Sequence, residues 1–297
     1  MTIARSYDVE TEPRGILRHV VPLLGYPRLI WQNRFMIHNS FRRELLSRWH
    51  GSFLGAGWML VQPLFQFAVY FLVFGYLFGQ RGTDGAPDRG FAVYLFSGVI
   101  VFHSLLEAIN KCVTIVSSNS NLVKKVAFPS ETLVIPVAMI SIVLYLVGAV
   151  ICLVFGFGFD VLQPGWMLLT LPLVVLAQFT FTVGLGLFLG NANVFMPDVG
   201  QLMRIITMAW MFLSPVFWTP DRLDQLPESI AWVGDLARYG NPAYSLLMCH
   251  RIALGGTADF LGEFWPQLGI VSMWAVFFLV LGYTTFAANK HKFADIV

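Results

Sequence analysis

Residues Leu133–Phe159 read LVIPVAMISIVLYLVGAVICLVFGFGF, an apolar run without a single charged side chain. The hydrocarbon core of a bilayer is about 30 Å thick, and roughly 20 residues of helix are needed to cross it. Every backbone amide in hydrocarbon must be hydrogen-bonded within the protein, which a helix achieves by itself. The run therefore predicts a membrane-spanning helix.

Comparable apolar segments lie on both sides of this run. The chain has 297 residues, of which 57% are hydrophobic and only 12% are charged, whereas soluble domains are roughly 45–50% apolar and about 25% charged. Its formal charge of +2 gives no global field that suggests a nucleic-acid partner. We predict an all-α integral membrane protein with six transmembrane helices, at Trp58–Gly79, Phe91–Cys112, Leu133–Phe159, Trp166–Leu189, Gln201–Trp218 and Gln267–Ala288.

The distribution of Lys and Arg predicts the orientation, because cytoplasmic loops are enriched in these residues. Of the 19 Lys and Arg residues, 14 lie on one side: eight in the N-terminal segment, three between positions 111 and 125, Arg204, and two in the C-terminal tail. The other five lie on the opposite side. Both termini are therefore expected in the cytoplasm, with a tail at 1–25, an interfacial helix and the start of span one at 26–57, a six-helix domain at 58–289 and a second tail at 290–297.

Two apolar segments outside the spans predict helices that do not cross. Pro27–His50 has a broad apolar face and is typical of a helix lying in the cytoplasmic interface. Leu223–Leu254 contains the apolar run Ala243–Leu254, which is too short to span. We predict a short external re-entrant helix pair here, ended by Gly255-Gly256.

Polar side chains in or beside the apolar segments have two interpretations each. Arg34, His38 and Arg42 recur every four residues on the interfacial helix, where they either extend to lipid phosphate or contact a substrate. His103 and Glu107, like Gln62 and Gln66, are also four apart, and either line a wet cavity or bond to neighbouring helices. The aromatic residues either pack ordinarily or line a conduit on which sugar rings slide, the candidates being Tyr70, Phe71, Phe74, Trp210, Phe217 and Trp218.

Sites for chemistry or energy conversion are not evident in the sequence. It has no Gly-x-x-x-x-Gly-Lys-Ser/Thr phosphate loop, and Gly186 and Gly190 in the fourth span indicate close helix packing rather than nucleotide binding. The widely spaced Cys112, Cys152 and Cys249 indicate buried small side chains rather than a disulfide framework. We predict no metal and no cofactor in this chain, and no catalytic residue.

Four motifs, in order along the chain, carry a family resemblance. Arg48–Trp58 reads RWHGSFLGAGW and is followed by QPL at 62–64; Lys124–Glu131 reads KKVAFPSE; FLSPVF lies at 212–217; and Asn241-Pro242 follows. In this order the chain resembles the permease subunits of polysaccharide-exporting ABC transporters of the ABC-2 class, which serve O-antigen, capsule and teichoic acid export. In the second cytoplasmic loop, where that family often has a basic residue before an Asp, this chain has Pro197-Asp198.

The resemblance implies a homodimer in the bacterial inner membrane, paired with two copies of an ATPase that binds ATP and magnesium. It implies a coupling loop at 113–132 and an external gate region at 220–264, with ATPase contacts at Lys124, Lys125, Phe128, Pro129, Glu131 and Asp198. The expected cargo is a lipid-linked polysaccharide, foremost O-antigen, whose pyrophosphate is received by Arg34, His38, Arg42 and Arg48. The alternatives are capsule or teichoic acid export, an ABC-2 drug or lipid exporter, and a membrane-embedded transferase for lipid-linked sugars.

Overall fold

The computed structural model describes residues 21–77, 89–124 and 129–296, and every regular element within those ranges is a helix. The nine main helices are α1 Tyr26–Gln32, α2 Arg34–Ser47, α3 Trp58–Tyr70, α4 Arg89–Val113, α5 Val134–Gly158, α6 Leu171–Phe195, α7 Val199–Leu213, α8 Pro242–Ala253 and α9 Phe264–Ile296. Single turns lie between them at Val21–Gly25, Gly55–Gly57, Ile115–Ser118, Ser120–Val123, Ser130–Thr132, Trp166–Thr170, Asp221–Asp224, Glu228–Ile230, Ala231–Asp235 and Asp259–Leu261, and wider π-helical turns at Phe71–Leu77 and Leu236–Gly240.

Five helices are long and apolar enough to cross a membrane, in the segments Gly55–Phe74, Arg89–Val113, Ser130–Gly158, Trp166–Phe195 and Asp259–Ile296. They coincide with five of the six predicted spans, and an integral membrane protein is confirmed to that extent. The last helix is longer than predicted at both ends. The predicted end of the first span, Gly79, lies outside the described residues.

The predicted fifth span, Gln201–Trp218, is wrong in its bounds. Helix α7 ends at Leu213, because Ser214 adopts an extended backbone ahead of Pro215. Its 15 residues reach only about 22 Å at 1.5 Å per residue, less than a bilayer core. A sixth crossing therefore depends on the non-helical residues that follow α7, and it stays a prediction.

Helices α6 and α9 form the longest contact in the bundle, and two glycines bring their backbones together. A Cβ atom on Gly282 would collide with the carbonyl oxygen of Gly184. The predicted packing role of two further α6 glycines is confirmed. A Cβ on Gly186 would lie 2.9 Å from the Cys112 sulfur, and one on Gly190 would lie 3.0 Å from the Cys112 carbonyl oxygen.

Helix α4 is the centre of the bundle and packs against α3, α5, α6, α7 and α8. In its most apolar stretch 83% of the residues are buried, against 6% in the corresponding stretch around α3. Helix α3 thus lies at the edge of the bundle. Either lipid or another chain can cover its apolar surface, because apolar side chains are as stable in contact with lipid hydrocarbon as with protein.

Both described chain ends lie at one end of the bundle, here called the terminal end. The Tyr26 hydroxyl donates to the Glu131 carbonyl oxygen at 2.9 Å, and Lys290 Nζ lies 2.9 Å from Glu131 Oε1. The opposite end, where Tyr94 meets Pro215, is called the distal end. Helix α7 runs from beside Asn193, near the terminal end, to Ser214 at the distal end.

The predicted interfacial helix is interrupted, which the sequence period did not indicate. It consists of α1 and α2, joined at Asn33, whose side-chain amide donates to the Leu29 carbonyl oxygen at 2.9 Å. Of its apolar residues Ile37 is buried and packs with the core at the terminal end, whereas Trp31 and Phe35 are 68% and 70% exposed. Trp31 and Phe35 are therefore free to contact lipid, whereas Phe41, Leu45 and Trp49 are only partly exposed.

Candidate functional site

The basic residues of α2 separate into two groups. Arg34, His38 and Arg42 are all exposed, and the Arg34 guanidinium lies 5.0 Å from the Trp31 ring centre and 4.6 Å from that of Phe35. Arg48 is half-buried and forms an ion pair with Glu107. The structure therefore places three of the four predicted pyrophosphate contacts on an open surface, and the fourth in a contact with α4.

Two ion pairs join this segment to α4. Arg48 pairs with Glu107, and Glu44 pairs with Lys111. Glu44 and Arg48 are four residues apart, as are Glu107 and Lys111, so that each helix presents one acid and one base on the same face. Neither Glu44 nor Lys111 was predicted from the sequence, although this matched spacing of opposite charges was a signal for the pairing.

In the part of the chain that the structure describes, no hydrogen bond joins the four polar residues predicted to line one cavity. Gln62 and His103 are exposed, Gln66 donates to the Tyr70 hydroxyl at 3.2 Å, and Glu107 is held by Arg48. A wet cavity at these positions stays a prediction that would need a second chain to complete it. The exposed amide of Gln62 is nevertheless informative, since a polar side chain facing lipid is costly.

The coupling segment is tied to both chain ends through Glu131. Its side chain is buried and accepts a bond from Lys290, while its backbone oxygen accepts one from the Tyr26 hydroxyl. Burial, with the Glu131 charge nearby, holds the pKa of Tyr26 well above its ordinary value, so the phenol remains a donor. Glu131 thus faces inward, whereas Lys124 and Asp198 are exposed and Pro129 is half-buried. Lys125 and Phe128 lie outside the described residues.

The predicted channel aromatics fall into two sets. Tyr70 lies 6.3 Å from Phe74 and 6.5 Å from Phe217 between ring centres, which joins the end of α3 to the segment after α7. Phe71, next to Tyr70 in the chain, packs instead on Phe67 at 6.2 Å and on Phe159 at 6.0 Å. Trp210 instead packs on Phe102 at 5.6 Å.

The indole N–H groups of Trp210 and Trp218 each donate a hydrogen bond to another residue of the same chain. The Trp210 indole donates to the Asn241 side-chain oxygen at 2.7 Å, and that of Trp218 donates to the Phe212 carbonyl oxygen at 2.9 Å. Asn241, the residue of the Asn-Pro motif, also accepts from the Ala243 amide and so caps α8. Trp210 therefore fixes the start of α8, in addition to any contact with cargo.

Helix α8 carries the polar core of the distal end, which the sequence analysis missed. The His250 ring bonds to the Tyr145 hydroxyl and to the Gln178 side-chain oxygen, both at 2.7 Å, and Gln178 donates onward to Ser104 at 3.1 Å. These contacts reach α5, α6 and α4 from one residue. Burial lowers the pKa of His250 to about 3, so the ring is neutral at physiological pH.

The neighbouring Arg251 is equally buried and holds a different set of groups. It donates to the carbonyl oxygens of Pro215 at 2.8 Å and of Tyr94 at 3.2 Å, and its charge lies 3.5 Å from the centre of the Tyr94 ring. Tyr94 in turn donates to the Trp218 carbonyl oxygen at 2.7 Å. The signal in the sequence was the His-Arg pair inside an apolar run, since ionisable residues there need partners.

The remaining chemical candidates are few. Cys112, Cys152 and Cys249 are all buried and unpaired, as their sequence context predicts for small core side chains. In the three described ranges no group of three His, Cys, Asp or Glu residues is placed to hold a metal ion.

Comparison with known proteins gives a consistent result. Residues 37–244 match the model of a family described as ABC-2 type transporter. The chain is 28% identical over 191 residues to an O-antigen export system permease protein RfbA of Myxococcus xanthus, covering 64% of this chain and 71% of that protein. It is 21% identical over 256 residues to an RfbA of Klebsiella pneumoniae, covering 86% and 92%. It is also 22% identical over 182 residues to the polysialic acid transport protein KpsM of Escherichia coli, covering 60% and 67%.

Proposed function

Because the chain belongs to the ABC-2 type transporter family, we propose that it is the membrane subunit of an ATP-driven exporter of lipid-linked polysaccharide, with O-antigen as the first candidate cargo. The observation that carries the proposal is the similarity to relatives named as O-antigen export permeases along most of their length. The chain would not itself be an enzyme. ATP and magnesium would be bound by a separate ATPase subunit, present in two copies.

A homodimer in the bacterial inner membrane is the second part of the proposal. Helices α3 and α7 expose much of their apolar surface, including Phe65 and Ile205, which are 71% and 70% exposed. Unlike the exposed face of α5, that of α3 also carries the polar Gln62. A second copy packed there would remove this amide from lipid, and a channel between the protomers would bring the cluster of Tyr70, Phe74 and Phe217 towards the cargo.

Energy would enter through the terminal end, which is expected to be cytoplasmic. Force applied by the ATPase to the loop near Lys124 and Pro129 would reach Glu131, and through its bonds to Tyr26 and Lys290 would move α1 and α9 together. Helix α2 would move with α4 through the Arg48 and Lys111 ion pairs. Thus the interfacial segment and the spanning helices would respond as a unit.

The cargo's pyrophosphate would be received by Arg34, His38 and Arg42, whose exposed side chains supply charge-assisted hydrogen bonds. Arg48 is a weaker candidate for this contact, because its side chain is already paired with Glu107. Capsular polysaccharide is the second candidate cargo and would be received by the same residues. The similarity to KpsM, named as a polysialic acid transport protein, supports a polysaccharide cargo other than O-antigen.

The test is ATP hydrolysis and export by the complex reconstituted with its ATPase in liposomes. Lipid-linked O-antigen is expected to stimulate hydrolysis and to become accessible to a glycosidase on the far side, and R34A/H38A/R42A should reduce both at least tenfold. R28A, an exposed Arg change on neighbouring α1, serves as the matched control. Stimulation by capsular polymer alone would select the second cargo. Equal export by the subunit without its ATPase, or no response to any lipid-linked glycan, would contradict the proposal.

A further inference from the structure

A cavity of about 370 Å³ lies at the distal end, beside α8. This size falls within the range of small-molecule pockets, about 300–1,000 Å³. Its walls come from the first turns of α4, the loop after α5, the segment after α7 and the residues that follow α8. Most wall residues are apolar, among them Val93, Val161, Leu162, Leu254 and Phe260.

One cation lies in the wall of this cavity. Arg251 is 4% exposed, and its three hydrogen bonds go to the Ser97 hydroxyl and to two backbone carbonyl oxygens, all of them neutral. Across residues 21–77, 89–124 and 129–296, no carboxylate lies within ion-pair distance of it. A buried charge that lacks an opposite charge is costly, and neutral acceptors offset only part of that cost.

The guanidinium also has donors to spare. It carries five N–H groups, and the three bonds above engage three of them. The three hydrogen bonds hold the side chain in place, and its Nη2 atom lies so close to Gly98 that a Cβ there would collide with it. A rigid fork with unused donors is the geometry that binds carboxylate and phosphate oxygens.

We propose that this cavity binds one anionic amphiphile, an acyl chain whose carboxylate or phosphate head group pairs with Arg251. The apolar wall excludes sugars, because their many hydroxyls would lose water and find, among the described wall residues, only Tyr94, Ser97, Thr219 and Thr257 as side-chain hydroxyl partners. A neutral hydrocarbon would leave the Arg251 charge uncompensated. The inference goes beyond the proposed function, since it concerns a bound lipid rather than the cargo and requires no ATPase.

A bound amphiphile would stabilise the position of α8 in the bundle. Arg251 already joins α8 to α4 and to the segment after α7, and a head group at its free donors would add a fourth partner to the same point. Leu254 and Leu261, which follow α8, would pack on the acyl chain. The ligand would therefore stabilise the packing of the helices at the distal end.

The test is native mass spectrometry of the purified full-length protein in non-ionic detergent, with dodecanoate, dodecyl phosphate and dodecanol as probes. We expect one dodecanoate or dodecyl phosphate per protomer, and at least tenfold weaker retention of uncharged dodecanol. Val161→Phe, which fills the cavity without altering Arg251, and Arg251→Gln should each reduce retention at least tenfold. Arg222→Gln, at an exposed position of the same end, should leave it unchanged.

The relative retention of the two anions identifies the source. Preference for dodecyl phosphate indicates a membrane phospholipid, and preference for dodecanoate indicates a free fatty acid; either supports the proposal. Equal retention of dodecanol, unchanged retention in Val161→Phe, or retention of glucuronate in place of the acyl probes would overturn it. Val161→Phe keeps the experiment decisive even if Arg251→Gln fails to fold, and none of these results depends on polysaccharide export.

Discussion

Gly282 on α9 is a residue at which two spanning backbones come close together. It faces the carbonyl oxygen of Gly184 on α6, and neither backbone can move aside as a flexible side chain would. Close backbone approach at small residues is what holds helices together in a membrane, where apolar side chains gain nothing by leaving lipid. Single atoms at this crossing therefore matter more than at most positions of the same helix.

Gly282→Ala should lower stability by about 3 kcal/mol, the upper end of the cost of overpacking, because the added methyl group must separate α6 from α9. The matched control is Gly269→Ala on the same helix, where a Cβ meets nothing within 4 Å. Thermal unfolding of the detergent-purified protein measures both variants. Equal unfolding temperatures for the two variants would show that the crossing does not carry this energy.

His250 makes the stability of the distal end depend on pH. Burial lowers its pKa to about 3, whereas the unfolded chain takes up a proton below about pH 6.5. The neutral ring therefore contributes its full stability above pH 6.5, and this is lost as the pH falls, by up to about 1.4 kcal/mol per unit. The unfolding temperature should drop between pH 7 and pH 5, and His250→Gln should flatten that slope. An identical slope in the variant would assign the pH dependence to other groups.

The helices differ in how much of their surface is covered by the rest of the protein, and this indicates what surrounds each of them. Helices α4 and α8 are covered by the protein, whereas α3 and α7 expose apolar side chains along their length. The exposed side chains of α5 are uniformly apolar, including Val150, Val154 and Phe157, so lipid satisfies them. The polar Gln62 on α3 is what favours a protein partner there.

A cysteine at Phe65 on α3 should form a disulfide-linked dimer on mild oxidation, because the proposed interface brings two copies of α3 together. A cysteine at Val154 on α5, 64% exposed in an apolar setting, serves as the control and should stay monomeric. The three native cysteines are buried and leave the new thiol as the accessible one. Non-reducing electrophoresis of membranes reads the result, and cross-linking through Val154 alone would place the interface on α5.

For the whole molecule, the path of α7 decides the number of crossings. Its two ends lie at opposite ends of the bundle, and Tyr26 of α1 packs on Tyr283 of α9 at the terminal end. An even number of passes brings both chain ends to one face. Helix α7 would then complete its crossing through residues 214–218. In this segment the Pro215 carbonyl oxygen accepts hydrogen bonds from Tyr94 and Arg251, as backbone at membrane depth requires.

Membrane-impermeant thiol labelling of intact cells tests this topology. With six crossings and cytoplasmic termini, a cysteine replacing exposed Asp235 should be labelled from outside, and one replacing exposed Lys292 should be labelled only after the cells are opened. Both positions are exposed, so the difference reports sidedness rather than burial. Labelling of Lys292→Cys in intact cells would mean an odd number of crossings or reversed termini.

The amino-acid order alone predicted five of the spans, the packing glycines of α6 and the end of α8 at Gly255, since these depend on local apolar length and on backbone freedom. The end of α7 was misplaced because composition continues apolar through Trp218 while Ser214-Pro215 breaks the helix. Among site residues, the basic surface of α2 was visible as a four-residue period. The ion pair between Arg48 and Glu107 could not be predicted in this way, because 59 residues separate the two along the chain.

Hydrocarbon permits the backbone so few solutions that a long apolar run is enough to predict a spanning helix. The rotation of each helix about its axis, and its depth relative to the others, follow instead from contacts between distant residues. Arg251 meets Ser97 across 154 residues and His250 meets Tyr145 across 105, so the polar core and the cavity beside it exist only once the helices have packed.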